Sequence, residues 1–156
     1  MCKLFCYADF AGDSKDSRSV SGLMLIFANG AAGWTSQKQI VIATSTVQAE
    51  YFALNETVNE VEWLIDFFKE IQHEEFLERP ITVYADNQSA IANSGSDCVT
   101  KQNRHFKAKY HSVREAVRSR KIEFQYVKPS LNRADFLTKV LNGQMTKENA
   151  RGIGPY

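Results

Sequence analysis

Residues 45–70 read STVQAEYFALNETVNEVEWLIDFFKE, and residues 80–86, a short way downstream, read PITVYAD. Ser45 stands three residues before Gln48, the capping-box spacing in which two side chains satisfy backbone N–H groups left open at a helix start. Behind it, Val47, Tyr51, Leu54, Val58, Val61, Ile65 and Phe68 recur at steps of three and four and form one apolar stripe. Glu56, Glu60, Asp66 and Glu70 fall mostly on the other side. The pattern predicts a long amphipathic helix packed on a sheet. Pro80 then opens a compact apolar strand, Ile81–Ala85, that ends at Asp86. A strand reached through a helical crossover normally lies parallel to an earlier one. The stretch therefore predicts an α/β domain.

Upstream, Leu4–Phe10 and Val20–Ala28 are short apolar runs rich in branched and aromatic residues, separated by the polar loop Gly12–Ser19. Asn29-Gly30 is a tight-turn signal, and the stretch through Trp34 to Lys38 follows as a third strand, giving an antiparallel meander. Downstream, a short helix is expected from about Gln88 to Asn93. A second amphipathic helix is outlined by Phe106, Tyr110, Val113 and Val117, and Ile122–Val127 is the last strand. Asn132 is placed to cap a final helix beginning near Arg133, with Phe136, Leu137 and Leu141 as its apolar contacts. The order predicts a mixed sheet flanked by helices in one domain, residues 1–142, with 143–156 as a flexible tail.

The chain has 156 residues, 44% of them hydrophobic, enough for one ordinary core and too few for two. No apolar run approaches the ~18 residues that span a bilayer, and the start lacks the pattern of a secretion signal. A soluble, intracellular protein is expected. Cys2, Cys6 and Cys98 form no zinc-like spacing with histidines, and their odd number suits a reducing compartment. The net charge of +1 conceals an asymmetry: residues 50–79 carry nine acids and two bases, residues 101–139 eleven bases and three acids. The basic part suits either a solvated helix face or a phosphate backbone.

Four acids stand at element boundaries. Asp9 ends the first strand and Asp86 the strand after the crossover. If those strands are parallel neighbours, both carboxylates reach the crevice beyond the strand ends where open α/β sheets bind ligands. Glu50 lies inside the apolar arc of its helix, and Asp135 stands in the first turn of the last helix. Taken singly, each has a plainer role: Asp9 as a turn residue, Asp86 and Asp135 as helix starters, Glu50 as the partner of a base. Taken together they make a carboxylate cluster, whose repulsion is relieved by protonation or by a hard cation such as magnesium. Two such ions about 4 Å apart support in-line hydrolysis of a phosphodiester with no protein nucleophile.

These residues resemble the ribonuclease H domain at the end of copia-type retrotransposon polyproteins, over nearly the whole chain. Tyr7-Ala8-Asp9-Phe10-Ala11-Gly12 is similar to that family's first strand, Ser19 to Gly22 to its second-strand entry, and Gly33-Trp34-Thr35-Ser36-Gln37-Lys38-Gln39 to its third strand. Ser45-Thr46-Val47-Gln48-Ala49-Glu50-Tyr51 resembles its glutamate helix, and Ala85-Asp86-Asn87-Gln88-Ser89-Ala90 its second aspartate motif. Tyr110-His111-Ser112-Val113-Arg114-Glu115 and Ala134-Asp135-Phe136-Leu137-Thr138-Lys139 resemble its later helices.

The resemblance implies a ribonuclease H-like fold, a mixed five-stranded sheet of three antiparallel strands followed by parallel ones. It implies an endonuclease that cuts the RNA strand of RNA/DNA hybrids, with Asp9, Glu50, Asp86 and Asp135 as catalytic ligands of magnesium, two ions, with manganese as a substitute. Asn87 or Gln88 is then a minor-groove contact, since an amide both donates to and accepts from a 2′-hydroxyl, although Gln88 equally suits a plain helix-surface position. Lys38, Arg104, Lys107 and Trp34 are phosphate or sugar contacts, although Trp34 equally suits a core position. An upstream reverse transcriptase domain of the same polyprotein is the implied protein partner, in a cytoplasmic virus-like particle or the nucleus. Three departures imply weaker activity: Gln48 replaces a glutamate, Lys107 replaces an aspartate, and residues 128–134 lack a histidine, for which neither His105 nor His111 is an obvious substitute. A non-cutting binding module, and a DNA nuclease or strand transferase on the same fold, are the alternatives.

Overall fold

The computed structural model describes residues 2–13, 15–95, 107–139 and 141–151. β1 (Cys2–Asp9), β2 (Val20–Phe27) and β3 (Gly30–Lys38) form the expected antiparallel meander. α1 (Thr46–Glu70) then crosses to β4 (Ile81–Ala85), which pairs parallel with β1. α2 (Gln88–Gly95) and α3 (Lys107–Arg118) lead to β5 (Ile122–Tyr126), parallel to β4. The five strands lie in the order β3-β2-β1-β4-β5, so β1 and β4 are neighbours at the centre.

The turn between β2 and β3 falls one residue earlier than the sequence suggests. Phe27 pairs with Gly30, leaving Ala28 and Asn29 as the loop residues, both at positive φ (50° and 67°). The register shifts at an irregularity between Leu25 and Ile26, and the ring of Phe27 packs 5.6 Å from that of Phe68 on α1.

α1 starts as its capping residues predict. Ser45 Oγ accepts from the Gln48 backbone N–H at 3.2 Å, while Gln48 Oε1 accepts from the backbone N–H of Thr44, at 2.6 Å. Tyr51, Leu54, Val58, Val61 and Ile65 are buried in the main core, with Val47 and Phe68 packed against it. Residues 48–55 are buried on every side because the sheet lies under this half of the helix and α3 over it, the Tyr51 and Tyr110 rings stacking at 4.0 Å. Glu56, expected to face outward, is half-buried, and its carboxyl is raised by burial.

The opposite face of the sheet is covered by the C-terminal segment, where Phe5, Met24, Ile26 and Ala134 form a second core with Phe136 and Leu137 beside it. The final helix expected here is instead two short 3-10 turns, Pro129–Leu131 and Asp135–Thr138. Asn132 does not cap it as expected: it ends the first turn, and its Oδ1 accepts from Ala134 N–H, two residues on, at 3.1 Å, while the second turn has no side-chain cap. Hydroxyls satisfy carbonyls in this short turn: Thr138 Oγ1 donates to Asp135 O at 2.9 Å and Ser36 Oγ, from β3, to Leu137 O at 2.6 Å. Beyond it, α4 (Gly143–Arg151) is helical where no regular structure was expected, its first turn capped by Asn142 Oδ1, which accepts from Met145 N–H at 2.9 Å.

Candidate active site

Side chains alternate along β1: Leu4, Cys6 and Ala8 belong to the cores under α1, Phe5 and Tyr7 to the opposite face. Asp9 continues the second set. On β4, Ile81, Val83 and Ala85 belong to the core under α1, and Asp86 follows directly at the strand's carboxyl end. The parallel pairing of β1 with β4 thus brings both aspartates to one edge of the sheet. Glu50 reaches the same edge from α1, and a cavity of about 310 Å³ is lined by Tyr7, Asp9, Phe10, Thr46, Glu50, Asp86 and Asn87. Asp135 borders a separate cavity of about 540 Å³ with Arg133 and Lys139, and reaches the other acids through its charge on Asp86 and Glu50.

The charges are coupled. Glu50 is 3% exposed, its Oε1 accepts from the backbone N–H of Ala8 at 3.2 Å, and its Oε2 is buried with no hydrogen-bond partner. Burial first, then the charges of Asp86 and Asp135, push its carboxyl up to about 8, against the lowering effect of the Ala8 bond. Asp86 is raised by burial and by Asp135, and partly offset by Lys139 and by hydrogen bonding from Asn132. Tyr7 stands among all four acids: burial and then Asp135, Asp86, Glu50 and Asp9 raise its phenol. Lys139 Nζ lies 2.6 Å from the Asp135 carboxylate and 5.5 Å from the centre of the Tyr7 ring.

Among the described residues no three His, Cys, Asp or Glu side chains converge tightly enough to form a ready metal cage. Asp9 folds toward its own loop, its Oδ2 occupying the space a Cβ on Gly12 would need. The donor chemistry nonetheless fits a hard divalent cation. The set is all carboxylate oxygen, Asp86 and Asp135 raise the carboxyl of Glu50, Asp135 raises that of Asp86, and Glu50 Oε2 is a buried acceptor with no hydrogen-bond partner.

Asn87 lines the cavity and spends its Oδ1 on the Ala90 N–H (2.9 Å), while Gln88 is exposed in the first turn of α2. Lys38 is exposed but paired with Asp13 and with Asp16, at 3.4 Å for the latter, so it holds the β1–β2 loop. Lys107 opens α3, exposed, and Trp34 is 65% exposed on β3 rather than in the core. Arg104, with His105, lies outside the described residues. Tyr7, Lys139 and the Asn132 link to Asp86 were not anticipated. Of these only Lys139 carried a signal, its spacing of four from Asp135.

No protein-family model matches the chain. It is 36% identical over 134 residues to the retrovirus-related Pol polyprotein from transposon TNT 1-94 of Nicotiana tabacum, covering 86% of this chain and 10% of that protein. It is 29% identical over 147 residues to the corresponding polyprotein from transposon RE2 of Arabidopsis thaliana, covering 94% of the chain and again 10% of the relative. The chain therefore spans about a tenth of the length of these relatives. Among solved structures, LC11-RNase H1, isolated from compost by a metagenomic approach, superposes with a TM-score of 0.63 at 16% identity, covering 87% of this chain and 91% of that one. The same protein in complex with an RNA/DNA hybrid gives 0.60 at 15%, over 88% and 93%. The foamy viral protease-reverse transcriptase, also with a hybrid, gives 0.57 at 11% identity, over 92% of this chain and 19% of that one. The chain is thus homologous to one segment of the retrovirus-related Pol polyproteins of plant transposons, and it has the ribonuclease H fold.

Proposed function

We propose that the domain is a divalent-metal-dependent endonuclease that hydrolyses the RNA strand of RNA/DNA hybrids during retrotransposon reverse transcription. The supporting observation is the approach of Asp9, Glu50, Asp86 and Asp135, from distant parts of the chain, to one edge of the sheet, where the buried Glu50 Oε2 lacks a partner. These four would hold magnesium or manganese, two ions in this reading. When bound, the metal supplies an activated water and neutralises charge at the scissile phosphate. Ala8 N–H fixes one oxygen of Glu50, so the other is directed to the site. Asn132 steadies Asp86. Lys139 balances Asp135 and keeps a cation beside the position of the phosphate.

Hybrid recognition falls to the flanks. With its Oδ1 bonded to Ala90, Asn87 offers its amide N–H groups to the groove, and Gln88 stands beside it. Lys107 and Arg104 would follow the phosphates, and Lys38 would exchange Asp13 and Asp16 for one. The Pol relatives and the reverse transcriptase neighbour support an upstream polymerase domain as partner.

A second reading, a binding module without cleavage, draws on the absence of a ready metal cage among the described residues and on the pairing of Asp135 with Lys139. The deciding experiment is cleavage of a labelled hybrid in magnesium or manganese, wild type beside Asp86→Asn, with duplex DNA as control. Cutting of the RNA strand alone, lost in the variant, is expected. Binding without cutting would favour the second reading, and equal cutting of DNA would point to a DNA nuclease.

A further inference from the structure

The acid least firmly tied to the sheet is Asp135, which comes from a 3-10 turn and not from a strand end or long helix. Its segment sits on one row of residues running across three strands: Ser36 on β3 pairs with Gly22 on β2, and Gly22 with Tyr7 on β1. Ser36 Oγ donates to Leu137 O at 2.6 Å at one end of this row. At the other end Lys139 lies over the Tyr7 ring, and Asn132 Nδ2 donates to Cys6 O at 2.8 Å. In the middle nothing projects. A Cβ added at Gly22 would stand 2.8 Å from Ala134 O, 2.9 Å from Thr138 Cγ2 and 3.2 Å from Leu137 Cβ. The first is a backbone atom of a fully buried residue and has nowhere to turn. No described glycine has a positive φ, so Gly22 is required for space and not for backbone freedom.

We propose that Gly22 is a positioning residue for Asp135: the notch it leaves in β2 lets the 134–138 turn seat deeply enough for Asp135 to join the other three carboxylates. The inference rests on the metal-site reading above. A methyl group there would lift the turn by about 0.5–1 Å to restore ordinary contact distances, and displacements near 1 Å can cost on the order of 10²-fold in rate.

The test compares Gly22→Ala with Gly33→Ala in the full chain. Gly33 is the control, since a Cβ there would meet the Leu25 side chain at an ordinary 3.8 Å. Binding of manganese alone is followed by the electron paramagnetic resonance of free Mn2+, with no substrate present. Gly22→Ala should weaken binding roughly tenfold and lower kcat on hybrid by about 10²-fold, leaving KM within about twofold. Gly33→Ala should change none of these. In the Asp135→Asn background, Gly22→Ala should weaken Mn2+ no further, because the residue acts through Asp135. Ser36→Ala removes the neighbouring hold without adding bulk. It should weaken Mn2+ in the same direction and show the same non-additivity, which keeps the proposal testable if Gly22→Ala does not fold. Unchanged Mn2+ affinity in Gly22→Ala, or full additivity with Asp135→Asn, overturns the proposal while leaving the metal site standing. Failure of the wild type to bind Mn2+ overturns both.

Discussion

Glu50 is under chemical tension, because a carboxylate held in the core beside Asp86 and Asp135 resists ionisation. Its carboxyl titrates at about 8 in the folded chain and near 4.5 when exposed, so between those values the folded state binds the proton more tightly. The metal-free protein therefore loses stability as pH rises from about 4.5 to about 8, on the order of a few kcal/mol, and no more beyond that. Glu50→Gln removes this slope. Denaturant melts of metal-free protein at pH 5, 7 and 9 should show the variant gaining on the parent as pH rises. Parallel pH profiles for the two would refute the assignment. The inward placement of Glu50 was legible in the sequence because an acid inside an apolar arc is anomalous on its face. Tyr7 was not, since nothing in a strand's alternation says that one phenol will stand among acids from four separate elements.

The same contrast holds for elements. Strands, helices and their order follow from periodicity and capping, and each of the five expected strands is present. The departures occur where a tertiary contact outweighs a local signal. The β2–β3 turn falls on Ala28 where the register shifts and Phe27 packs on Phe68, and the C-terminal segment, docked on β3 through Ser36 Oγ, makes 3-10 turns in place of a helix. Ala28 pays for that register with a φ of 50°, a region its Cβ disfavours. Ala28→Gly should therefore stabilise the protein by roughly 0.5–1 kcal/mol, the steric relief being partly offset by the greater freedom of glycine in the unfolded chain. A rise in the urea midpoint at constant slope checks this, and a fall would show that Ala28 makes a contact worth more than the strain.

Across the whole molecule, the candidate site is divided between the two halves of the chain. Asp9 and Glu50 precede the exposed stretch around Glu78 and Arg79, and Asp86 and Asp135 follow it. What joins the halves is the docking of β4 and the C-terminal turn on β1 and β2, built from parallel strand pairing and buried apolar side chains and independent of the covalent connection. A protein nicked between Glu78 and Arg79 should stay assembled and keep whatever hybrid-cutting activity the intact chain has, because both residues are exposed there. Either half, once separated, should have none, and recombining them should restore it. Loss of activity on nicking alone would show that the connection itself holds the acids in place. The ribonuclease H sheet then behaves as a two-key lock, in which each half of the chain carries two of the four teeth and any cleavage would report that the halves have met.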